Sequence, residues 1–125
     1  AAAAALNVIE YEQRQGRVVV DVSGEHRDYP YDLHSTGPGG GRCIEVKGTT
    51  TGQVKLSENE HRAARRFRAS YYLYVVTDPL GERPVLTIIR DPWAKMAHDD
   101  ILYSGARYVY NASTWRAAAD EETTL

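Results

Sequence analysis

Sulfur is scarce in this 125-residue chain, which has one cysteine and one methionine. Cys43 cannot close an internal disulfide, so the fold must rest on its core, as expected of a chain working in the reducing cytoplasm. A catalytic thiol would also need a histidine placed beside it, so Cys43 is expected in the packing. No stretch of about 18 consecutive apolar residues occurs, which excludes a membrane-spanning helix. The alanines at positions 1–5 lack the cationic flank of a signal peptide. Neither sign of charge is in large excess: 15 Lys and Arg face 17 Asp and Glu, for a net charge of −2. That excludes the globally basic profile of a histone-like binder and leaves a local basic stripe as the only route to a polyanion.

What is present suits one domain over residues 1–125. A hydrophobic fraction of 42% is enough for a single core. The chain opens in helix style without a methionine, as expected of a domain excised from a larger polypeptide. Residues 1–15 favour helix, with Leu6, Ile9, Glu10 and Gln13 on one inward stripe and Gly16 ending it. Strands are predicted over 17–22, 29–34, 42–47, 71–77 and 85–90, with a further candidate at 106–110. The Gly-rich stretch 35–41 reads as a hairpin-like loop, 48–52 as a turn, and Asp78-Pro79-Leu80-Gly81 as the turn of a hairpin. Ser57 and Glu60 form a capping-box pattern that starts a helix running to about residue 69. Asp91-Pro92-Trp93 suggests a short helix, and the polar end from Asp120 is expected to fray. Placing the Ser57 helix between the third and fourth strands makes it a crossover, so part of the sheet must be parallel: an α/β layer fold.

The chemistry centres on Pro30-Tyr31-Asp32-Leu33 and Ile44-Glu45-Val46-Lys47. Along a strand alternate side chains share a face, so Glu45 and Lys47 point one way and Ile44 and Val46 the other. Adjacent strands would bring Asp32, Glu45 and Lys47 to a common point. Two carboxylates with an open position suit Mg²⁺, which takes hard oxygen ligands and keeps several waters, leaving room for a phosphate oxygen. Lys47 would hold or activate the attacking water and offset charge building on phosphorus. The competing reading is a solvated sheet face on which Glu45 and Lys47 form a weak same-strand ion pair.

On the predicted Ser57 helix, Glu60 shares a face with Ala63, Ala64 and Phe67. It either closes the capping box or supports Lys47 or the metal. The opposite face carries His61, Arg62 and Arg65, with Arg66 and Arg68 nearby, and reads either as phosphate contact or as solvated surface. Tyr71, Tyr72 and Tyr74 are assigned to packing, and His34 to a polar neighbour of Asp32.

With these residues in hand, the sequence resembles the PD-(D/E)XK nuclease superfamily over roughly residues 10–76. Tyr31-Asp32-Leu33, Arg42-Cys43-Ile44-Glu45-Val46-Lys47-Gly48-Thr49, Leu56-Ser57-Glu58-Asn59-Glu60 and Tyr72-Leu73-Tyr74-Val75-Val76 are similar to the domain at the C-terminus of plant NO VEIN proteins. That domain also occurs in bacterial helicase and phage-defence polypeptides. The resemblance implies a restriction-endonuclease-like mixed β-sheet flanked by helices and metal-dependent phosphodiester hydrolysis, with DNA the expected substrate. It implies Asp32, Glu45 and the Val46 backbone carbonyl as ligands of Mg²⁺, for which Mn²⁺ would substitute, Lys47 as the catalytic lysine, and Glu10 as the acidic residue of the first helix. The proline lies two residues before Asp32 rather than next to it. Expected partners are nucleic acid, a second copy in a homodimer, and helicase or specificity domains in the same polypeptide. The alternative is a catalytically silent nucleic-acid-binding module on the same fold.

Overall fold

The computed structural model describes residues 2–24, 29–102 and 107–125. Helix α1 (Ala2–Arg14) leads into strands β1 (Val18–Asp21), β2 (Leu33–Gly37) and β3 (Gly40–Thr49). Then come β4 (Val54–Ser57), α2 (Glu58–Phe67), a short 3₁₀ turn (Arg68–Ser70), β5 (Tyr71–Thr77) and β6 (Val85–Arg90). The rest holds α3 (Pro92–Lys95), β7 (Asp100–Leu102), β8 (Arg107–Tyr110), α4 (Ala112–Ala117) and β9 (Glu121–Thr124). Of the strand expected at 106–110, position 106 lies outside the described residues.

Six strands make the main sheet in the order β1-β2-β3-β5-β6-β9, and β4-β8-β7 make a smaller one. The expected crossover is present: β3 and β5 pair in parallel, Glu45 opposite Leu73 and Lys47 opposite Val75, with α2 in the connection. β5 is buried on both faces, as a central parallel strand should be. Tyr74 and Val76 meet Ala4, Val8 and Tyr11 of α1, whereas Leu73 and Val75 meet Val54, Leu56 and Trp115. The Trp115 indole N–H donates to the Gly52 carbonyl at 2.7 Å.

Several expectations need correction. The loop expected at 35–41 is mostly strand, because Gly39 and Gly40 adopt positive φ and let the hairpin turn within Pro38-Gly39. β4 has no counterpart among the predicted strands, although Val54-Lys55-Leu56-Ser57 alternates buried with less buried residues. The tail does not fray into solvent: β9 pairs antiparallel with β6, Leu86 opposite Thr123.

The stripe on α1 is also different. Its buried residues are Ala4, Val8, Tyr11 and Glu12, while Leu6 and Glu10 are exposed. Glu12 is completely buried and lies 3.4 Å from the Arg17 guanidinium and 3.7 Å from that of Arg42, which compensates its charge. Arg17 in turn donates to the backbone carbonyls of Ser35, Pro38 and Gly40, pinning the β2–β3 hairpin to the end of α1. Among the described residues no helix is long and apolar enough to cross a membrane.

Candidate active site

Asp32 stands just ahead of β2 in an extended stretch held from both sides. Its N–H donates to the Ile44 carbonyl and its own carbonyl accepts from Val22, both at 2.9 Å. The last β2–β3 pair is Leu33 with Ile44, so the Val46 N–H would otherwise have no strand partner there. The Asp32 carboxylate supplies one, accepting it at 2.8 Å. A strand residue's N–H and C=O leave on the same side, so the Val46 carbonyl also opens toward Asp32.

Glu45 projects from the other face of β3 and is 3% exposed. Burial pushes its carboxyl well above the usual carboxylate range. A hydrogen bond with Asp32 and the charges of Glu60 and Asp32 push the same way, and only Lys47 opposes them. Two carboxylates are therefore held together with too little positive charge between them. Among the described residues no three Asp, Glu, His or Cys side chains group around one point.

The Lys47 ammonium lies 2.9 Å from Glu60 Oε1 and 3.7 Å from Glu45 Oε2. The two readings of Glu60 hold together: the same Oε1 accepts the Ser57 N–H at 2.8 Å, and Ser57 Oγ accepts the Glu60 N–H at 3.2 Å, closing the capping box. Burial alone would raise the Glu60 pKa, but the Lys47 charge and the Ser57 N–H outweigh it and hold the carboxyl below its ordinary value. Glu60 is thus a fixed anion that aims the lysine.

Asp32, Glu45 and Glu60 open on a cleft of about 590 Å³ whose lining also includes Tyr31, Arg62 and Arg66, and Lys47 meets it through its contacts with Glu60 and Glu45. The structure brings Asp32, Glu45, Lys47 and Glu60 together. Glu10 is not brought in, as its exposed side chain lies outside the cleft lining, and the buried carboxylate of α1, Glu12, meets Arg17 and Arg42 instead. The basic face of α2 divides. Arg62 and Arg66 face the cleft, whereas His61 stacks on Tyr108 with ring centres 3.6 Å apart and Arg65 lies 5.7 Å over the Trp93 ring. Arg66, expected only near the basic face, takes the place beside Arg62 that was expected of His61 and Arg65.

Tyr71 has a role that packing alone missed. Fully buried beneath α2, it donates its hydroxyl to the Pro30 carbonyl at 3.3 Å and so holds the segment that carries Asp32. Burial, then the charges of Glu45, Glu60 and Asp32, raise its pKa and keep it a donor. His34 stands 3.5 Å from the Tyr31 hydroxyl and is absent from the cleft lining.

A family model described as Protein NO VEIN, C-terminal, matches residues 2–89. Among solved structures, the Holliday junction resolvase Hjc of Archaeoglobus fulgidus superposes with a TM-score of 0.60. It is 15% identical, over 93% of this chain and 92% of that one. At that identity the likeness bears on the fold, and the six-stranded mixed sheet flanked by helices is the restriction-endonuclease-like fold expected from the sequence. No curated protein matches.

Proposed function

The chain belongs to the NO VEIN C-terminal family, and from that premise we propose that it is a metal-dependent nuclease domain hydrolysing phosphodiester bonds, with DNA as substrate. The observation that carries this reading is the meeting of Asp32 and Glu45 beside an ammonium that Glu60 aims, at the floor of a cleft with two arginines on its wall. Asp32, Glu45 and the Val46 carbonyl would hold Mg²⁺ or Mn²⁺, a hard-oxygen set that fits a small hard cation and relieves the crowding of the two carboxylates. Such a cation would supply positive charge to the phosphodiester oxygens as charge builds on phosphorus. Lys47 adds a second charge there and orients a water, and Glu60 prevents its ammonium from swinging away. Arg62 and Arg66 would contact flanking phosphates. A restriction or phage-defence polypeptide with helicase or specificity domains is the setting in which such a cutting module would act, as a monomer or a pair.

The direct test incubates the purified domain with supercoiled plasmid, single-stranded DNA and RNA in Mg²⁺, Mn²⁺ or EDTA, beside a Glu45→Gln control. The expected result is cleavage of DNA that requires the cation and disappears in Glu45→Gln. Tight binding without cleavage in every metal would identify a silent binding module instead.

A second test needs no substrate. The raised Glu45 carboxyl holds its proton more firmly in the folded chain than in the unfolded one. Stability therefore falls as pH rises from the ordinary carboxylate value through the raised one, because the folded state must keep the proton or bear the charge. In EDTA the wild-type melting temperature should decline across that window more than that of Glu45→Gln. Mg²⁺ should cancel the difference, and its stabilising effect should grow with pH. Equal pH profiles with and without Mg²⁺ would remove the cation from this site.

A further inference from the structure

Next to the cleft lies an open groove of about 410 Å³ whose lining includes Lys47, Lys55, Arg107, Thr50, Thr51 and Gln53. It contains three cations and no carboxylate. Strand geometry explains how two of them meet. β4 and β8 are antiparallel, with Ser57 opposite Arg107 and Lys55 opposite Val109. Lys55 and Ser57 share a face by alternation, so Lys55 and Arg107 are diagonal neighbours on that face. Both are exposed, and among the described residues neither forms an ion pair with a carboxylate. Most other cations with a defined neighbour are paired: Arg17, Arg42, Arg62, Arg68 and Lys95 each meet an acid. In a chain of net charge −2, leaving Lys55 and Arg107 side by side without a carboxylate, next to a Lys47 whose own charge is met by Glu60 and Glu45, costs free energy that a bound polyanion would return.

The location gives the polyanion its identity. Lys47 lines the groove while its ammonium reaches Glu45 and Glu60, which line the cleft. The groove and the cleft thus meet at the lysine, with Arg62 and Arg66 lining the cleft and Lys55 and Arg107 lining the groove. We propose that Lys55 and Arg107 form a second phosphate-binding site, which holds the backbone of the cut nucleic-acid strand on the side of the scissile bond opposite to Arg62 and Arg66. This rests on the nuclease reading above and adds to it a direction for the strand. Thr50 stands at the same lining to donate its hydroxyl, whereas the Thr49 hydroxyl is spent on the Gln53 carbonyl inside the turn.

The test measures binding of a single-stranded and a duplex oligonucleotide to the whole chain carrying Glu45→Gln, which removes turnover, over a salt series. Adding Lys55→Gln and Arg107→Gln should weaken binding and lower the slope of log affinity against log salt by about 1.5, two phosphate contacts' worth of released counterions. The charge-keeping pair Lys55→Arg with Arg107→Lys should retain the slope. Circular dichroism and melting curves should match for all variants, since both residues are exposed. An unchanged slope in the glutamine pair overturns the groove site and leaves the nuclease reading intact. Loss of slope in the charge-keeping pair also overturns it, because charge would not be the cause. If inorganic phosphate raises the melting temperature through Lys55 and Arg107 while oligonucleotide binding ignores them, the groove takes free phosphate and the proposal falls. Absence of any nucleic-acid binding by the Glu45→Gln chain sinks both readings together.

Discussion

Replacing Lys47 with alanine is expected to lower the rate of phosphodiester cleavage on the order of a hundred- to a thousandfold, the range found when one preorganised donor to a developing charge is removed. Binding should weaken far less, because Lys47 is one of several cations along the cleft and the groove proposed to hold the substrate, together with Arg62, Arg66, Lys55 and Arg107. The asymmetry follows from where the ammonium is held. Glu60 fixes it 2.9 Å away, beside Glu45, where it is well placed for the transition state and only one charge among many for the ground state. Lys47→Arg should retain the binding without restoring the rate, since a planar guanidinium does not reproduce a compact ammonium in the same pocket. Single-turnover cleavage beside equilibrium binding separates the two effects. A rate within tenfold of wild type in Lys47→Ala would remove the lysine from the chemistry.

The second large effect is expected far from the cleft. Arg17→Met should destabilise the fold by about 3–5 kcal/mol, the range for removing one partner of a buried ion pair. Arg17 is 5% exposed and serves both the wholly buried Glu12 and three carbonyls of the β2–β3 hairpin. Removing it leaves Glu12 with Arg42 alone at 3.7 Å and releases the hairpin that leads into β3. The double variant Glu12→Leu with Arg17→Met should lose less than the sum of the single losses, because neither strands a buried charge once both are gone. Chemical denaturation of the four proteins measures the coupling, and strict additivity would show that the pair contributes nothing as a pair.

Much of the site was legible because strand periodicity is strict. Glu45 and Lys47 had to share a face of β3, and the hydrophobic Ile44 and Val46 showed which face met the core. The capping box at Ser57 and Glu60 placed the start of α2 to the residue. What could not be read was which charge is buried. Glu10 and Glu12 stand two residues apart on a helix whose inward stripe is weakly hydrophobic. The choice falls to Arg17 and Arg42, which meet Glu12 only once β1 and β3 have closed beneath the helix. β9 was hidden for a related reason: Glu121-Glu122-Thr123-Thr124 has little apolar pattern, and its place is fixed by the free edge of β6. Lys55 and Arg107, separated by 52 positions in the chain, become neighbours through a strand pairing that four short residues on each side do not announce.

Glu60 Oε1 accepts from the Ser57 backbone and from the Lys47 ammonium at once, which gives one helical turn and one lysine a shared fate. Each time the first turn of α2 opens, the anchor of the ammonium goes with it. The fraction of time the lysine spends aimed is therefore bounded by the local opening equilibrium of the four residues 57–60 and not by the stability of the whole domain. Heating or denaturant would release the ammonium from its anchor long before the chain unfolds, with the sheet and the cleft still in place.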